Sequence, residues 1–411
     1  MKSLPEVWFV LFAAFGFFEG SSCRGSDWPG WLGPNRDNSS NEIVVPWKGD
    51  LRPLWNAEVG EGHSSPVVNQ GKVFLHFKTP GKEAETLLCL SIQDGKKIWE
   101  TSLDRPPFSN TFGNGPRSTP IIHQGNIITH GASGQVACLS ISDGKVIWKR
   151  DLLKDMEGKN LYFGASASPL IWGGQLMIPV GGKDAGIVAL KLSDGSTAWK
   201  SLDDRATYSS PVIMGKNVLF LSQKGLQAVG PNQGDIQGHF PLVDKLNESA
   251  TTPVVTPHGI FVSSVTYGGA FVNREEGPDF LKPIWKNTSL SCYFSTPVVS
   301  SSGDEIYMVT GSIFPPPSST LKCVDTKTGK ILWIRPKSGK YHAALLRLGD
   351  GNMLLVDDFG KVRLFRPNRE KFDELASSQL CGATWAHPAL ADGILVIRDE
   401  KELLAVKLPV K

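Results

Sequence analysis

The sequence has 411 residues, with 43 Lys and Arg against 40 Asp and Glu, a formal charge of +3, and 40% apolar residues. So small an excess leaves no basic footprint for nucleic acid. Its 43 Gly, 28 Pro and 12 Trp lie in no low-complexity tract, which excludes disordered and collagen-like polymers.

The chain opens with Lys2, an apolar run from Val7 to Phe18, and the small residues Gly20, Ser21 and Ser22 before Cys23. Residues 1–22 read as a secretory signal peptide. Twelve apolar residues make roughly 18 Å of helix, short of a hydrocarbon core of roughly 30 Å, and no second run of eighteen follows. The expectation is an exported chain, periplasmic, cell-envelope associated or extracellular, with no transmembrane helix. Cys23 stands where a bacterial lipoprotein is acylated, although Gly20 replaces the usual Leu. The alternative is ordinary cleavage nearby, with Cys23 left in a leader, residues 23–50.

From residue 51 one unit recurs: a small residue and Pro, two apolar residues, a short turn usually containing Gly, then an apolar run. Pro66, Pro120, Pro169, Pro211, Pro253, Pro297 and Pro388 head seven copies and Ala344 the eighth, at spacings of 54, 49, 42, 42, 44, 47 and 44. That period fits a four-stranded propeller blade. The reading is all-β: an eight-bladed β-propeller of four-stranded antiparallel blades, with blade starts near 64, 118, 167, 209, 251, 295, 342 and 386. Residues 51–59 are expected to close the last blade, which removes the open sheet edges.

A second element lies between these starts: a small or apolar strand, an Asp-Gly or Thr-Gly turn, and Trp four residues after the Gly. It spans Cys89–Trp99, Cys138–Trp148, Ala189–Trp199 and Cys323–Trp333. Gly supplies the positive φ of a tight turn and the residue before it bonds the turn backbone, so Asp94, Asp143 and Asp194 are turn formers rather than metal ligands. Trp55 sits eleven residues before Pro66, as Trp333 does before Ala344, and Trp285 ends a weaker copy. Trp55, Trp99, Trp148, Trp199, Trp285 and Trp333 are therefore read as structural, packed flat between blades. Blades four and seven are expected to use Phe240 and Phe372, or residues nearby, instead. Cys89, Cys138 and Cys323 share one position in three units, too far apart to pair, and read as small buried thiols.

The element Cys323, Val324, Asp325, Thr328, Gly329, Trp333 resembles the tryptophan-docking motif of the pyrroloquinoline quinone (PQQ) repeat family, with Cys323 in place of Ala. The resemblance extends over residues 51–411. Asp27 to Asp37 is similar to the leader before PQQ-like propellers in many planctomycete secreted proteins, and implies that Trp28 and Trp31 pack on the propeller body. The family includes quinoprotein dehydrogenases, which use PQQ and calcium to oxidise alcohols or sugars, and BamB-like lipoproteins, which bind no cofactor and scaffold outer-membrane protein assembly. The dehydrogenases place two adjacent cysteines over the quinone, and this chain has no Cys-Cys pair. Their calcium ligands and catalytic Asp match no motif here, so no catalytic residue and no metal ligand is assigned.

The links from Trp99 to Pro120 and from Trp148 to Pro169 are long, at 21 residues against 12 from Trp199 to Pro211 and from Trp285 to Pro297. In a propeller they project from one face. The first carries Phe108, Asn110, Phe112, Asn114 and Arg117, and the second Tyr162 and Phe163. Residues just before the blade starts, His63, Arg117, Tyr208, Tyr293, His342, Trp385 and His387, are expected to ring the channel mouth on that face. Phe314 with Pro315, Pro316 and Pro317 adds a stiff loop. Aromatics mixed with amides and an Arg suit recognition; the bland alternative is that they fill the mouth and bond one another. The three histidines need not converge on a metal. The reading is a non-catalytic, BamB-like binding scaffold for envelope proteins, peptides, a small ligand or a glycan. The alternative is a PQQ- and calcium-dependent oxidoreductase.

Overall fold

A computed structural model describes residues 27–312 and 317–411. The signal peptide, Cys23, Phe314, Pro315 and Pro316 lie outside the described residues. Eight four-stranded antiparallel sheets follow one another round a central channel. Blade one is typical, running from the channel outward through Val67–Asn69, Lys72–Lys78, Ala84–Ser91 and Lys97–Asp104. Its two middle strands are buried on both faces because a neighbouring blade covers each side, which explains their unbroken apolar runs. The outer strand alternates, and Trp99 is its one buried side chain.

The ring closes as the chain pattern requires. Pro53–Glu58 pairs antiparallel with Glu402–Lys407, and Trp55 faces Ala405. The last blade thus takes three strands from the C-terminal end and its outer strand from the N-terminal end. Hydrophobic clusters lie between blades rather than within one: Phe74, Cys89 and Trp99 of blade one pack with Ile127, Ala137 and Leu139 of blade two.

The docking tryptophans repeat one contact. Each faces a small or apolar residue across its own hairpin (Cys89↔Trp99, Cys138↔Trp148, Ala189↔Trp199, Phe271↔Trp285, Cys323↔Trp333) and a register shift follows at once. The shift turns the indole toward the next blade, where its Nε1–H donates to a turn carbonyl: Trp55 to Ile92 at 2.8 Å, Trp99 to Ile141 at 3.1 Å, Trp148 to Leu192 at 2.8 Å. Trp199, Trp285 and Trp333 reach Pro231, Thr326 and Asn368 in the same way. Except at Trp333 the ring lies on the turn glycine, so that a Cβ on Gly195 (φ +71°) would sit 2.6 Å from the Trp148 ring.

Blades four and seven depart from expectation. Their docking positions hold Gly238 and Ala376, not Phe240 and Phe372. Blade five offers blade four no tight turn; Phe280 and Leu281, from the longer connection there, fill the space against Gly238. Blade eight has no outer turn, because its third and fourth strands come from opposite ends of the chain, so a tryptophan on blade seven would have no carbonyl to meet. Phe372 instead packs on Trp333 and Phe365 beside the turn that receives Trp333.

Cys89, Cys138, Cys292 and Cys323 are buried free thiols, and burial pushes Cys89 up to about 12 and Cys138 up to about 11. No described helix is long and apolar enough to cross a membrane.

Candidate binding face at the channel mouth

The two ends of the channel differ. At the end formed by the turns between first and second strands, residues 27–44 lie across the ring. Trp28 bridges Val68, Asp27 accepts from Asn69 Nδ2 at 2.8 Å, Glu42 accepts from the Gly393 amide at 2.7 Å, and Val44 bridges Val410. From this crosspiece Arg36 donates to the carbonyls of Ser168, Pro169 and Pro211, joining blades three and four. Trp31 enters the channel itself, donating Nε1–H to Thr252 Oγ1 at 2.9 Å and meeting the His387 ring edge-on at 4.7 Å. The channel is plugged from this side.

Above the plug runs a belt of hydroxyls from the residues preceding the blade-start prolines. At four of them the backbone N–H donates to the hydroxyl of the counterpart in the next blade: Ser65 to Thr119 at 3.4 Å, Thr119 to Ser168 at 2.9 Å, Ser168 to Ser210 at 2.9 Å, Thr252 to Thr296 at 3.3 Å. The His387 amide donates to Ser65 at 3.0 Å across the closure. The small residue before Pro is therefore a hydroxyl acceptor, and Pro fits behind it because the inner strand has no neighbour on its channel side. Blades seven and eight put Ala343 and His387 in these places, and there His342 and His387 approach, their rings 5.3 Å apart. Both are buried and held below the usual histidine range, His342 at about 4, by burial.

The opposite end is the aromatic face. The long links meet: Asn110 Nδ2 donates to Tyr162 O at 2.7 Å, and Phe112 packs edge-on to Phe163 at 5.7 Å. From Phe163 the contacts run to Tyr208 at 5.4 Å, and from Phe112 to Trp385 at 6.2 Å. Trp385 in turn meets His63 at 5.0 Å, Phe294 at 5.5 Å and Tyr341 at 6.0 Å, while Tyr293 stacks on Phe294 at 3.8 Å. Phe112 is 45% exposed and Tyr162 63%. Arg117 holds the first link by donating to the carbonyls of Phe112, Gly113 and Gly115. His63 Nε2 lies 2.9 Å from Phe112 O, so that nitrogen carries the proton. Burial, with Arg117 beside it, pushes His63 down to about 3.

The expected residues thus divide by place. His63, Phe112, Arg117, Tyr162, Phe163, Tyr208, Tyr293 and Trp385 gather at the mouth. His342 and His387 sit deeper in the channel wall. Phe108, Asn110 and Asn114 brace the links: Phe108 lies under Gly164, and Asn114 accepts from Asn110 N at 2.8 Å while its own amide donates to Glu61. The base of the first link is fixed by a buried cluster in which Glu85 accepts from Arg105 at 2.7 Å and from the Ala132 amide at 3.0 Å, and lies 3.2 Å from His76. Burial opposes its charge, yet His76, the Ala132 amide and Arg105 hold Glu85 at about 2. Sequence reasoning missed Phe294 and Tyr341, which stand just before two blade starts and obey the rule that found their neighbours, and Glu248 and Trp31, which carry no local signal for the mouth.

The profile of the PQQ-repeat family described as outer membrane protein assembly factor BamB matches residues 41–178 and 83–335. The chain belongs to this family. Among curated proteins no sequence match is found. The fold is similar to the quinohemoprotein alcohol dehydrogenase of Comamonas testosteroni, at TM-score 0.70 and 12% identity over 94% of this chain and 81% of that one. An enzyme of the same description from Pseudomonas putida HK5 gives TM-score 0.71 at 11% identity, over 94% and 81%. BamB from Moraxella catarrhalis gives 0.60 at 13%, over 87% of this chain and all of that one. At such identities these relatives share the fold with this BamB-family chain and nothing finer.

The family's quinone branch makes PQQ with calcium the cofactor to test against these residues. The mouth cavity measures about 110 Å³ with Trp31 at its inner end, below the roughly 300–1,000 Å³ of ordinary small-molecule sites. Its one carboxylate, Glu248, accepts from Tyr293 Oη at 2.6 Å. Among the described residues no three His, Cys, Asp or Glu side chains converge as a metal site. The pit's own lining thus offers one carboxylate and no calcium site among the described residues.

Proposed function

We propose that this propeller is a non-catalytic, BamB-like binding scaffold of the cell envelope that captures a protein partner on the aromatic face. The observation that carries the reading is the aperiodic cluster of Phe112, Phe163, Tyr208, Phe294, Tyr341 and Trp385 at the channel end opposite the residue 27–44 crosspiece, with its exposed rings on links pinned by Arg117. Tyr, Trp and Arg are the side chains that dominate binding interfaces. Export and envelope residence are part of this reading, supported by the signal-like leader and by the family's description, as is acylation of Cys23.

A photo-crosslinking residue at position 112, with one at Leu54 on the outer rim as control, tests the assignment in envelopes of the native cell. A discrete adduct from position 112, absent from the rim and lost on Arg117→Gln, is expected; adducts from the rim alone would overturn it. Calorimetric titration with PQQ in millimolar calcium separates the oxidoreductase reading. No saturable heat is expected, and one-to-one binding at micromolar or better would reinstate the enzyme.

A further inference from the structure

The mouth cavity has an unmet chemical requirement. Trp31 lies at its inner end, Phe163, Tyr208, Phe294 and Trp385 wall it, and His387 lines it beside Trp31. His387 is 3% exposed, and neither of its ring nitrogens has a hydrogen-bond partner. Buried polar groups are nearly always paired, and leaving one unpaired costs about 1–3 kcal/mol. Burial and the neighbouring His342 hold this imidazole well below the usual histidine range, so it is neutral and offers one donor and one acceptor.

Those features select a ligand group. A carboxylate meets little net positive charge, because Glu248 lines the pit together with Arg117, whose guanidinium directs three of its donors at carbonyls of its own link. An aliphatic side chain would leave both His387 nitrogens bare. A phenol fits: its ring matches the aromatic walls, and its hydroxyl both donates and accepts, so it meets either tautomer of His387. The volume of about 110 Å³ is on the scale of the roughly 150 Å³ cavity that holds one benzene ring.

The surroundings point to a polypeptide rather than a free phenol. A groove of about 590 Å³ shares His63 and Trp385 with the pit and runs outward past Phe112, Tyr341 and Phe359. It has room for far more than one ring, and Phe359 in its wall is 58% exposed. Its charges nearly cancel, with Glu61, Asp358, Asp399 and Glu400 against Lys340, Arg398 and Lys401, which complements an uncharged extended segment rather than an anionic surface. We propose that the pit receives the phenol of a tyrosine in an extended segment of a partner polypeptide, with the hydroxyl bonded to His387. The inference rests on the mouth being the capture face and names the anchor taken there.

The test titrates the purified full chain with p-cresol and toluene, and with N-acetyl-tyrosinamide and N-acetyl-phenylalaninamide, read by tryptophan fluorescence and by the ring ¹⁵N shifts of His387. The hydroxylated member of each pair is expected to bind about 10–100-fold more tightly, to shift the His387 nitrogens, and to lose its advantage in His387→Phe. Equal affinity within each pair overturns the phenol assignment, and so does the absence of any binding; the position-112 crosslink judges the capture face separately. Binding of p-cresol with exclusion of N-acetyl-tyrosinamide overturns the polypeptide source and leaves a free phenol. The ¹⁵N shifts decide the matter in the unaltered protein if His387→Phe does not fold.

Discussion

Two sets of aromatic rings occupy this propeller, and they are built on opposite principles. The outer girdle repeats: six tryptophans, each facing a residue of the third strand of its blade, each giving its N–H to a carbonyl on the next blade, with Trp148 only 8% exposed. The mouth does not repeat. Its rings come from two links, five blade entries and the leader, several remain exposed, and below them both ring nitrogens of His387 lack a hydrogen-bond partner. A satisfied, periodic aromatic holds a structure together, whereas an aperiodic and unsatisfied one is free to bind something else.

The girdle half of that comparison predicts the largest effect. Trp148→Ala removes a ring wedged on Gly195 and a hydrogen bond to Leu192, and is expected to cost about 3–5 kcal/mol in denaturant unfolding. A small loss would mean that the girdle is ornament. Gly195→Ala attacks the same contact from the other side. The new methyl meets Trp148 at 2.6 Å in a left-handed backbone, for an expected loss of about 2–4 kcal/mol. Gly125→Ala has a similar φ of +80° and open space around the added Cβ, and serves as the control at about 1–2 kcal/mol. Equal losses at the two glycines would remove the argument that docking, rather than backbone strain, sets the cost.

This division also explains what could be read from the chain. The blade heads at Pro66 to Pro388 and the Gly-to-Trp spacing are local patterns, and each blade solves the same packing problem, so the ring and the girdle were legible. Gly238 and Ala376 were not, because what fills those positions depends on the neighbouring blade: Phe280 and Leu281 in one case, a junction of chain ends in the other. The mouth was legible in part. Phe112, Phe163 and Trp385 follow from link length and blade entry, but the insertion of Trp31 and its meeting with His387 depend on the closed diameter of the ring, which no local spacing encodes.

Acid gives the next effect, and it arises on the mouth side. His342 titrates near 6.5 when unfolded and at about 4 when folded, because burial disfavours its charged form. A folded pKa below the unfolded one means that the unfolded chain binds more protons between those values, so the stability held above pH 6.5 is lost as pH falls toward 4. From pH 7 to 5 His342 alone accounts for about 2 kcal/mol. Burial acts in the same direction on His130 and, together with His342, on His387. Thermal unfolding should therefore fall steeply below pH 6.5, and His342→Phe should flatten that fall. An unchanged slope in that variant would place the acid sensitivity elsewhere.

The smallest expected effect on stability is the one that most sharpens the contrast. Phe112 is 45% exposed, and its ring meets only Phe163 and Trp385 while its backbone receives Arg117 and His63, so Phe112→Ser should change unfolding by about 1 kcal/mol, a small part of the loss at Trp148. If the mouth is a binding face, this mild change abolishes the crosslinked adduct formed from a second mouth position such as Phe359. Trp148→Ala does the reverse, lowering stability while the surviving folded molecules still form the adduct. A Phe112→Ser protein that unfolds as Trp148→Ala does would make the mouth a second girdle, and its rings would then be explained by packing alone.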